Sequence, residues 1–244
     1  MNIIEFENFS CYYRRRKEKD YVVAIDNITF AIKRGEALAI VGPSGCGKTT
    51  FLKSILGLTK LTEGNLFING LDINTISVKD LNIGYVWQEF VLFPNLTIYG
   101  NLAFPLKAMK TPQKEIDERV KEVAKRFGLT GLLTRKPNQL SGGQIQKVSI
   151  AKAIIKNPEF ILFDEPFANI DPAFKKDLLM LINNIHEQYN TTMIFVTHDL
   201  NEAFTIADRI VVMEEGEIIE YGTPDELREK GKTELIRGYF KDEE

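Results

Sequence analysis

The sequence predicts an α/β fold with a mainly parallel sheet at its core, an N-terminal antiparallel β subdomain and an inserted α-helical subdomain. Three unbroken apolar runs, Ala37-Leu38-Ala39-Ile40-Val41, Phe160-Ile161-Leu162-Phe163 and Met193-Ile194-Phe195-Val196-Thr197, have the texture of strands buried on both faces. Helical periodicity separates them, and alternating strands and helices imply parallel pairing with ligands at the strands' carboxyl ends. Residues 111–158 form a charged, helix-periodic stretch set into that alternation.

In chain order, alternation around Ile3-Ile4-Glu5-Phe6 and the run Ile28-Thr29-Phe30-Ala31-Ile32 read as strands. The buried run from Ala37 follows and feeds a glycine-rich loop. Residues 49–58 then place Phe51, Leu52, Ile55, Leu56 and Leu58 at helical spacing, with Gly57 and Thr59 ending the helix. A turn is expected at Thr62-Glu63-Gly64-Asn65, before a strand at Leu66-Phe67-Ile68-Asn69-Gly70. Ile83-Gly84-Tyr85-Val86-Trp87 is another short strand, ending at Gln88. In 111–158, Glu115-Ile116-Asp117-Glu118-Arg119-Val120-Lys121-Glu122-Val123 has the charges of a solvated helix face. The strand from Phe160 ends in Asp164-Glu165, a helix is expected from Pro172 to Tyr189, and the strand from Met193 ends in His198-Asp199.

Composition narrows the function classes. With 31 Lys+Arg against 34 Asp+Glu and a formal charge of −3, the chain has no global electrostatic reason to bind nucleic acid. The most apolar long stretch, 91–109, is broken by Pro94, Asn95, Asn101, Pro105 and Lys107, so no transmembrane span is expected. Met1-Asn2-Ile3-Ile4-Glu5 lacks the basic and apolar regions of a secretory signal, which points to the cytosol. Cys11 and Cys46 match no metal or redox spacing, and the Cys46 side chain is expected to be incidental to its loop. The run Arg14-Arg15-Arg16-Lys17-Glu18-Lys19-Asp20 reads as a solvated turn, with phospholipid contact the alternative.

Two glycine-rich segments carry the chemistry. Gly42-Pro43-Ser44-Gly45-Cys46-Gly47-Lys48-Thr49, followed by Thr50, lies between a strand and a helix. Its glycines let main-chain N–H groups wrap phosphate oxygens; Lys48 would reach the β- and γ-phosphates of ATP and the Thr49 hydroxyl would coordinate Mg²⁺. Leu140-Ser141-Gly142-Gly143-Gln144 is the second segment, with Ser141 as helix N-cap and Ile145, Val148, Ala151, Ile154 and Ile155 as the buried stripe behind it. Asp164 would hold Mg²⁺ and Glu165 would polarise the attacking water, the competing reading being a carboxylate pair that only caps a strand. Gln88 would bridge Mg²⁺ or the water, and His198 would hydrogen-bond the γ-phosphate. His186, in mid-helix, is expected to face solvent.

Taken in order, residues 42–49, Gln88, 140–144, 160–165, Ala168-Asn169-Ile170-Asp171 and Thr197-His198 resemble the ATP-binding subunit of ABC transporters across essentially the whole chain. The resemblance implies the P-loop ABC-ATPase fold and a head-to-tail homodimer, or a heterodimer with a second ATP-binding subunit. Two ATP would lie between the phosphate loop of one subunit and Ser141 to Gln144 of the other. It also implies Glu165 as catalytic base, His198 as switch histidine, Gln88 as the lever to a membrane partner and Asp171 as the link between sites. Tyr13 matches the aromatic that stacks on adenine, with Tyr12 adjacent. The implied division is 1–87 and 159–224 as nucleotide-binding core, 88–158 as helical subdomain and 225–244 as C-terminal tail.

Gln88-Glu89-Phe90-Val91-Leu92-Phe93-Pro94-Asn95-Leu96-Thr97, Phe104-Pro105-Leu106-Lys107, Glu165-Pro166-Phe167 and Glu220-Tyr221-Gly222-Thr223-Pro224 look like the importer branch. That branch implies permease subunits in the membrane, a solute-binding protein, a small polar solute or ion as cargo, and a place on the inner face of the cell membrane. Many members add a regulatory domain after this point, which is not expected here. Lys147 and Lys152 stand where arginine is usual, and Ala168 where serine is common. The alternatives are a soluble ATPase of the same superfamily, in repair, translation or iron–sulfur assembly, and an exporter ATPase. A P-loop kinase or GTPase would leave Leu140 to Gln144 and His198 without a role.

Overall fold

In a computed structural model of the chain, the first 81 residues hold a four-stranded antiparallel sheet, one strand of a second sheet and one helix. The structure describes residues 1–14, 21–59, 63–77, 81–88, 91–168 and 170–241. Most of the basic run after Arg14, together with Thr62, Glu89, Phe90 and Asn169, lies outside the described residues. Two units form, Met1–Leu81 with Tyr189–Glu244, and Asn82–Gln188.

In the first unit, β1 (Asn2–Arg14) pairs antiparallel with β2 (Tyr21–Lys33), Phe6 opposite Phe30. β3 (Ala37–Val41) is buried at all five positions, and α1 (Lys48–Ile55) follows. β4 (Glu63–Ile68) pairs with the other edge of β1, and β5 (Leu71–Asp72) with β4. α1 docks on this sheet through Phe51, whose ring centroid lies 4.4 Å from that of Phe6.

Of the turn expected at 62–65, Thr62 lies outside the described residues and the other three residues lie in a strand. Glu63 to Asn65 already belong to β4, and Gly64, at φ 73°, marks a bulge where any Cβ would come within 2.0 Å of the Asn8 carbonyl oxygen. The chain reverses at Asn69 and Gly70, at φ 52° and 75°, an Asn-Gly pair in the two left-handed positions of a tight hairpin. α1 ends at Ile55, so Leu58 falls outside it and is 63% exposed.

The second unit starts with β6 (Ile83–Val86). α2 (Ile98–Ala108) is capped by the Thr97 hydroxyl, which accepts from the Gly100 N–H at 3.1 Å. α3 (Gln113–Arg126) buries Ile116, Val120 and Val123, while Glu115–Arg119 and Glu122–Arg126 pair one turn apart on its outer face. Such exposed pairs add only a few tenths of a kcal/mol, roughly 0.3–0.5 each. α4 (Gly142–Ile154), β7 (Phe160–Asp164) and α5 (Pro172–Tyr189) complete the unit. β6 and β7 run parallel, with Val86 opposite Phe163.

Two expectations change here. α4 buries more than one stripe: Gln146, Ser149, Ile150 and Ala153 are buried with Val148, Ala151 and Ile154, while Ile145 is only half-buried, because the helix is packed on more than one side. His186 is 8% exposed rather than facing solvent, since it continues the inward face set by Leu178, Ile182 and Ile185.

The chain returns to the first unit as β8 (Thr192–Val196), α6 (Leu200–Ile206), β9 (Arg209–Glu214) and β10 (Glu217–Gly222). β3 lies between β8 and β9, parallel to both, and β10 closes the edge antiparallel to β9. The expected tail is structured through residue 241: α7 (Pro224–Lys230) opens on a Thr223–Glu226 capping box and α8 (Glu234–Lys241) follows. α8 buries Ile236 in a cluster with Leu200, Ala203, Val212 and Leu227, and its Tyr239 ring stacks on Phe204 at 5.1 Å.

Candidate active site

In the first unit the carboxyl ends of β3 and β8 lie side by side, Ile40 opposite Val196. Both strands are fully buried, so the polar residues that follow them emerge together at one rim. From β3 come residues 42–49. Gly42 has φ 153°, and a Cβ there would meet the Met213 carbonyl oxygen at 2.1 Å. Gly47, the α1 N-cap at φ 109°, would meet the Ala24 carbonyl oxygen at 2.2 Å. These two glycines let the loop pass close to neighbouring backbone, while Gly45, at φ 84° in open space, is set by conformation alone. Pro43 and Ser44 are exposed beside it.

Lys48 is 6% exposed, and its Nζ donates to the carbonyl oxygens of Gly42 and Pro43, each at 2.8 Å. The ammonium is thus held at the loop's own mouth, next to the N-terminus of α1, where positive charge and open N–H groups both favour an anion. Cys46 is more than incidental: it is buried, and its Sγ lies 3.8 Å from the same Nζ. Thr49 and Thr50 are half-buried in the first turn of α1. Tyr13, on β1, is 41% exposed, with Thr50 and Cys11 as side-chain hydrogen-bonding neighbours; partial burial raises its pKa above the ordinary tyrosine value.

From β8 come Thr197 and His198. The Thr197 N–H donates to the Ile40 carbonyl at 3.1 Å, its hydroxyl donates to the Glu202 carboxylate, and the Asp199 N–H donates back to that hydroxyl at 3.0 Å. His198 is left exposed at the head of α6, which Asp199 caps by accepting from the Asn201 N–H at 2.8 Å.

The second unit holds the other residues. Asp164, at the end of β7, is 6% exposed and accepts from the Tyr85 hydroxyl of β6 at 3.0 Å. Burial, reinforced by the charge of Asp164, pushes the Tyr85 phenol far above its ordinary pKa, so it stays protonated and remains a donor to the carboxylate. Glu165 has φ 46°, a left-handed conformation that costs a non-glycine residue about 1–2 kcal/mol. Gln88 is exposed two residues beyond β6, and Asp171 is exposed just before α5.

The start of α4 is built as its sequence implied and then further constrained. The Ser141 hydroxyl accepts from the Gln144 N–H at 3.4 Å while the Gln144 side chain accepts from the Ser141 N–H at 3.1 Å. Gly143 sits against Phe174 of α5, where a Cβ would lie 2.2 Å from the ring. Lys147, one turn on, places its Nζ 4.9 Å from the centre of the same ring. Lys152 reaches the Val91 carbonyl at 3.0 Å and lies over Phe93, and burial lowers its pKa. Gly143→Ala is therefore expected to destabilise the chain by about 1–3 kcal/mol through overpacking. A thermal melt checks this, and Phe174→Ala in the same chain should restore most of the loss; an unchanged melt for Gly143→Ala would mean that the helix start does not depend on this seat.

Tyr85 and Phe174 are the site residues that no local pattern announces. Each is identifiable only from what it touches, Tyr85 from its bond to Asp164 and Phe174 from the glycine it excludes.

A strand that runs into a glycine-rich loop and a helix N-terminus, with parallel neighbours ending in polar residues, defines a P-loop α/β protein. The ABC transporter family model matches residues 25–168, and the chain belongs to that family. It is 41% identical over 225 residues to the trehalose/maltose import ATP-binding protein MalK of Thermococcus litoralis, covering 90% of this chain and 60% of that protein. It is 38% identical over 218 residues to the Fe(3+) ions import ATP-binding protein FbpC of Photobacterium profundum, covering 89% of this chain and 62% of that one. The chain thus spans about 60% of the length of these curated relatives. A solved structure, the ATP-binding cassette MJ0796 in a dimeric post-hydrolysis state bound to ADP and Pi, matches with a TM-score of 0.80 and 33% identity, over 91% of this chain and 98% of that one. The α/β fold read from the sequence is the fold of that cassette.

Proposed function

We propose that the chain is the ATP-hydrolysing, energy-coupling subunit of an importer for a small polar solute or ion. It would act as a homodimer or heterodimer at the inner face of the cell membrane, driving separate permease subunits supplied by a solute-binding protein. The observation that carries this reading is the presence of two glycine-opened helix starts, at Gly47 and at Ser141, each closed on one side by a packing contact that only glycine permits. One such start binds a nucleotide; two suit a nucleotide held between copies of the chain. The relatives' names as import ATP-binding proteins support the direction of transport. No helix among the described residues is long and apolar enough to cross a membrane, so the cargo path would belong to the permease.

Within this reading, residues 42–50 bind the phosphates, with Lys48 turning from its loop carbonyls to the β- and γ-phosphates, and Tyr13 stacks on the adenine. Ser141 to Gln144 complete the site of the partner copy, and Asp171 links the two sites. Among the described residues no three His, Cys, Asp or Glu side chains form a metal cage of their own. A hydroxyl (Thr49), a carboxylate (Asp164) and an amide oxygen (Gln88) are hard oxygen donors that fit Mg²⁺ shared with nucleotide phosphates. When bound, Mg²⁺ would neutralise charge on the β- and γ-phosphates. Glu165 takes the proton of the attacking water, and Gln88 and His198 sense whether the γ-phosphate is present.

The test is affinity purification of the tagged chain from gently solubilised native membranes. A co-purifying polytopic membrane protein, with ATP turnover raised in its presence, is the expected result. Soluble partners or nucleic acid alone would replace the transport reading with that of a soluble ATPase.

A further inference from the structure

Gln146 lies two residues beyond Gln144 on α4 and is wholly buried. Its Nε2 donates to the carbonyl oxygen of Pro166. A carbonyl can only accept, so the amide nitrogen must face it, and this orientation leaves Oε1 buried with no hydrogen-bond partner among the described residues. A buried amide that satisfies one end and sacrifices the other is costly, and an apolar side chain of similar length would fill the same space without the penalty. The position therefore favours the single bond to Pro166 over packing alone.

That bond ends on the turn that carries Glu165. The Ala168 N–H donates to the Glu165 carbonyl at 3.2 Å, closing residues 165–168. Eight non-glycine residues among those described have positive φ; five are asparagines, which tolerate it, and Lys110 and Glu215 sit in exposed turns. Glu165 carries its strain directly after a strand that is buried at every position. A strained backbone persists only where its surroundings hold it, and the Pro166 carbonyl is the group through which α4 holds this one.

We infer that Gln146 is a positioning residue: it clamps the Glu165 turn to the helix opened by Ser141, so that the helix start and the hydrolytic carboxylate move as one piece. The inference rests on the assignment of Glu165 as the base. It gives that base a fixed geometry and a mechanical link to the segment that would meet the partner copy's nucleotide.

The experiment compares the full-length chain with Gln146→Met, Glu165→Gln and the double variant, measuring ATP turnover, binding of a fluorescent ATP analogue, thermal melting and amide exchange across 165–168. Gln146→Met is expected to melt within a few degrees of the parent and to bind the analogue with unchanged affinity. Its kcat should fall at least tenfold with KM little altered, and the Ala168 amide should exchange about tenfold faster. On the Glu165→Gln background the same change should remove no further turnover. If Glu165→Gln is slow but Gln146→Met turns over normally, or if the two losses multiply, the clamp is wrong and the base assignment stands. If Glu165→Gln itself turns over normally, the base assignment falls and the clamp with it. Should Gln146→Met fail to fold, Gln146→Leu, which also removes the donor and places no ionisable group in the buried site, is read by the same criteria.

Discussion

Glu165→Gln is expected to bind ATP as the parent does, to lower its turnover by about 10²–10⁴-fold, and to accumulate as an ATP-bound dimer on gel filtration. The substitution keeps the length and hydrogen-bonding shape of the side chain and removes only its capacity to take a proton. Glutamine has the same backbone preferences at φ 46°, so the turn that Ala168 closes should survive. Asp164 and its Tyr85 donor are untouched, so a loss of metal binding would not account for slow turnover. On the proposed reading the dimer accumulates because hydrolysis would be the step that lowers the affinity of the closed form, and a closed state that cannot turn over keeps its ligand. Single-turnover hydrolysis with radiolabelled ATP, run beside equilibrium binding, reads both quantities. Normal turnover would remove Glu165 from its role and leave Asp164-Glu165 as a strand cap.

Lys48→Ala is expected to weaken ATP binding by about 10- to 100-fold, the loss of one charged hydrogen-bonding group worth about 1.5–3 kcal/mol. In the structure the ammonium bonds to the Gly42 and Pro43 carbonyls, so its removal also frees two acceptors at the loop mouth. Water can satisfy the acceptor of exposed Pro43 but not that of buried Gly42, so a melt is run beside the titration, and a shift of only a few degrees shows that the loop survives. The affinity loss then reports the missing contact with phosphate rather than a collapsed loop. ADP should lose less than ATP, since it lacks the γ-phosphate that Lys48 is proposed to reach as well. An unchanged affinity for ATP would argue against a phosphate-binding loop at 42–49.

The legible parts of this protein are those in which one short stretch of chain carries the whole physical cause. Phe160 to Phe163 and Met193 to Val196 read as buried strands because they are apolar at every position, and both lie in strands buried throughout. The Ser141–Gln144 capping box needs only residues three apart, and it forms as their types imply. α5 begins at Pro172 and ends at Tyr189, as its flanking signals predict. The misread parts had competing local signals. Glu63-Gly64-Asn65 has the composition of a turn but lies in β4 opposite a bulge of β1, and Asn69-Gly70, expected at the end of a strand, makes the reversal. The helices of the C-terminal tail carry little local signal, since α8 is short and polar on one side and its place depends on Phe204 stacking with Tyr239 from a distant segment.

The sequence by itself determined the class of fold, the phosphate loop, the capped glycine helix and the polar residues that end the buried strands, because each is a matter of periodicity or of a few adjacent residues. Only the tertiary structure decided why Gly42, Gly47 and Gly143 must be glycine, that Tyr85 donates to Asp164, that His186 is buried and that Gln146 holds Pro166. Those are contacts between residues far apart in the chain, and a side chain's neighbours across such separations are set by how whole elements pack.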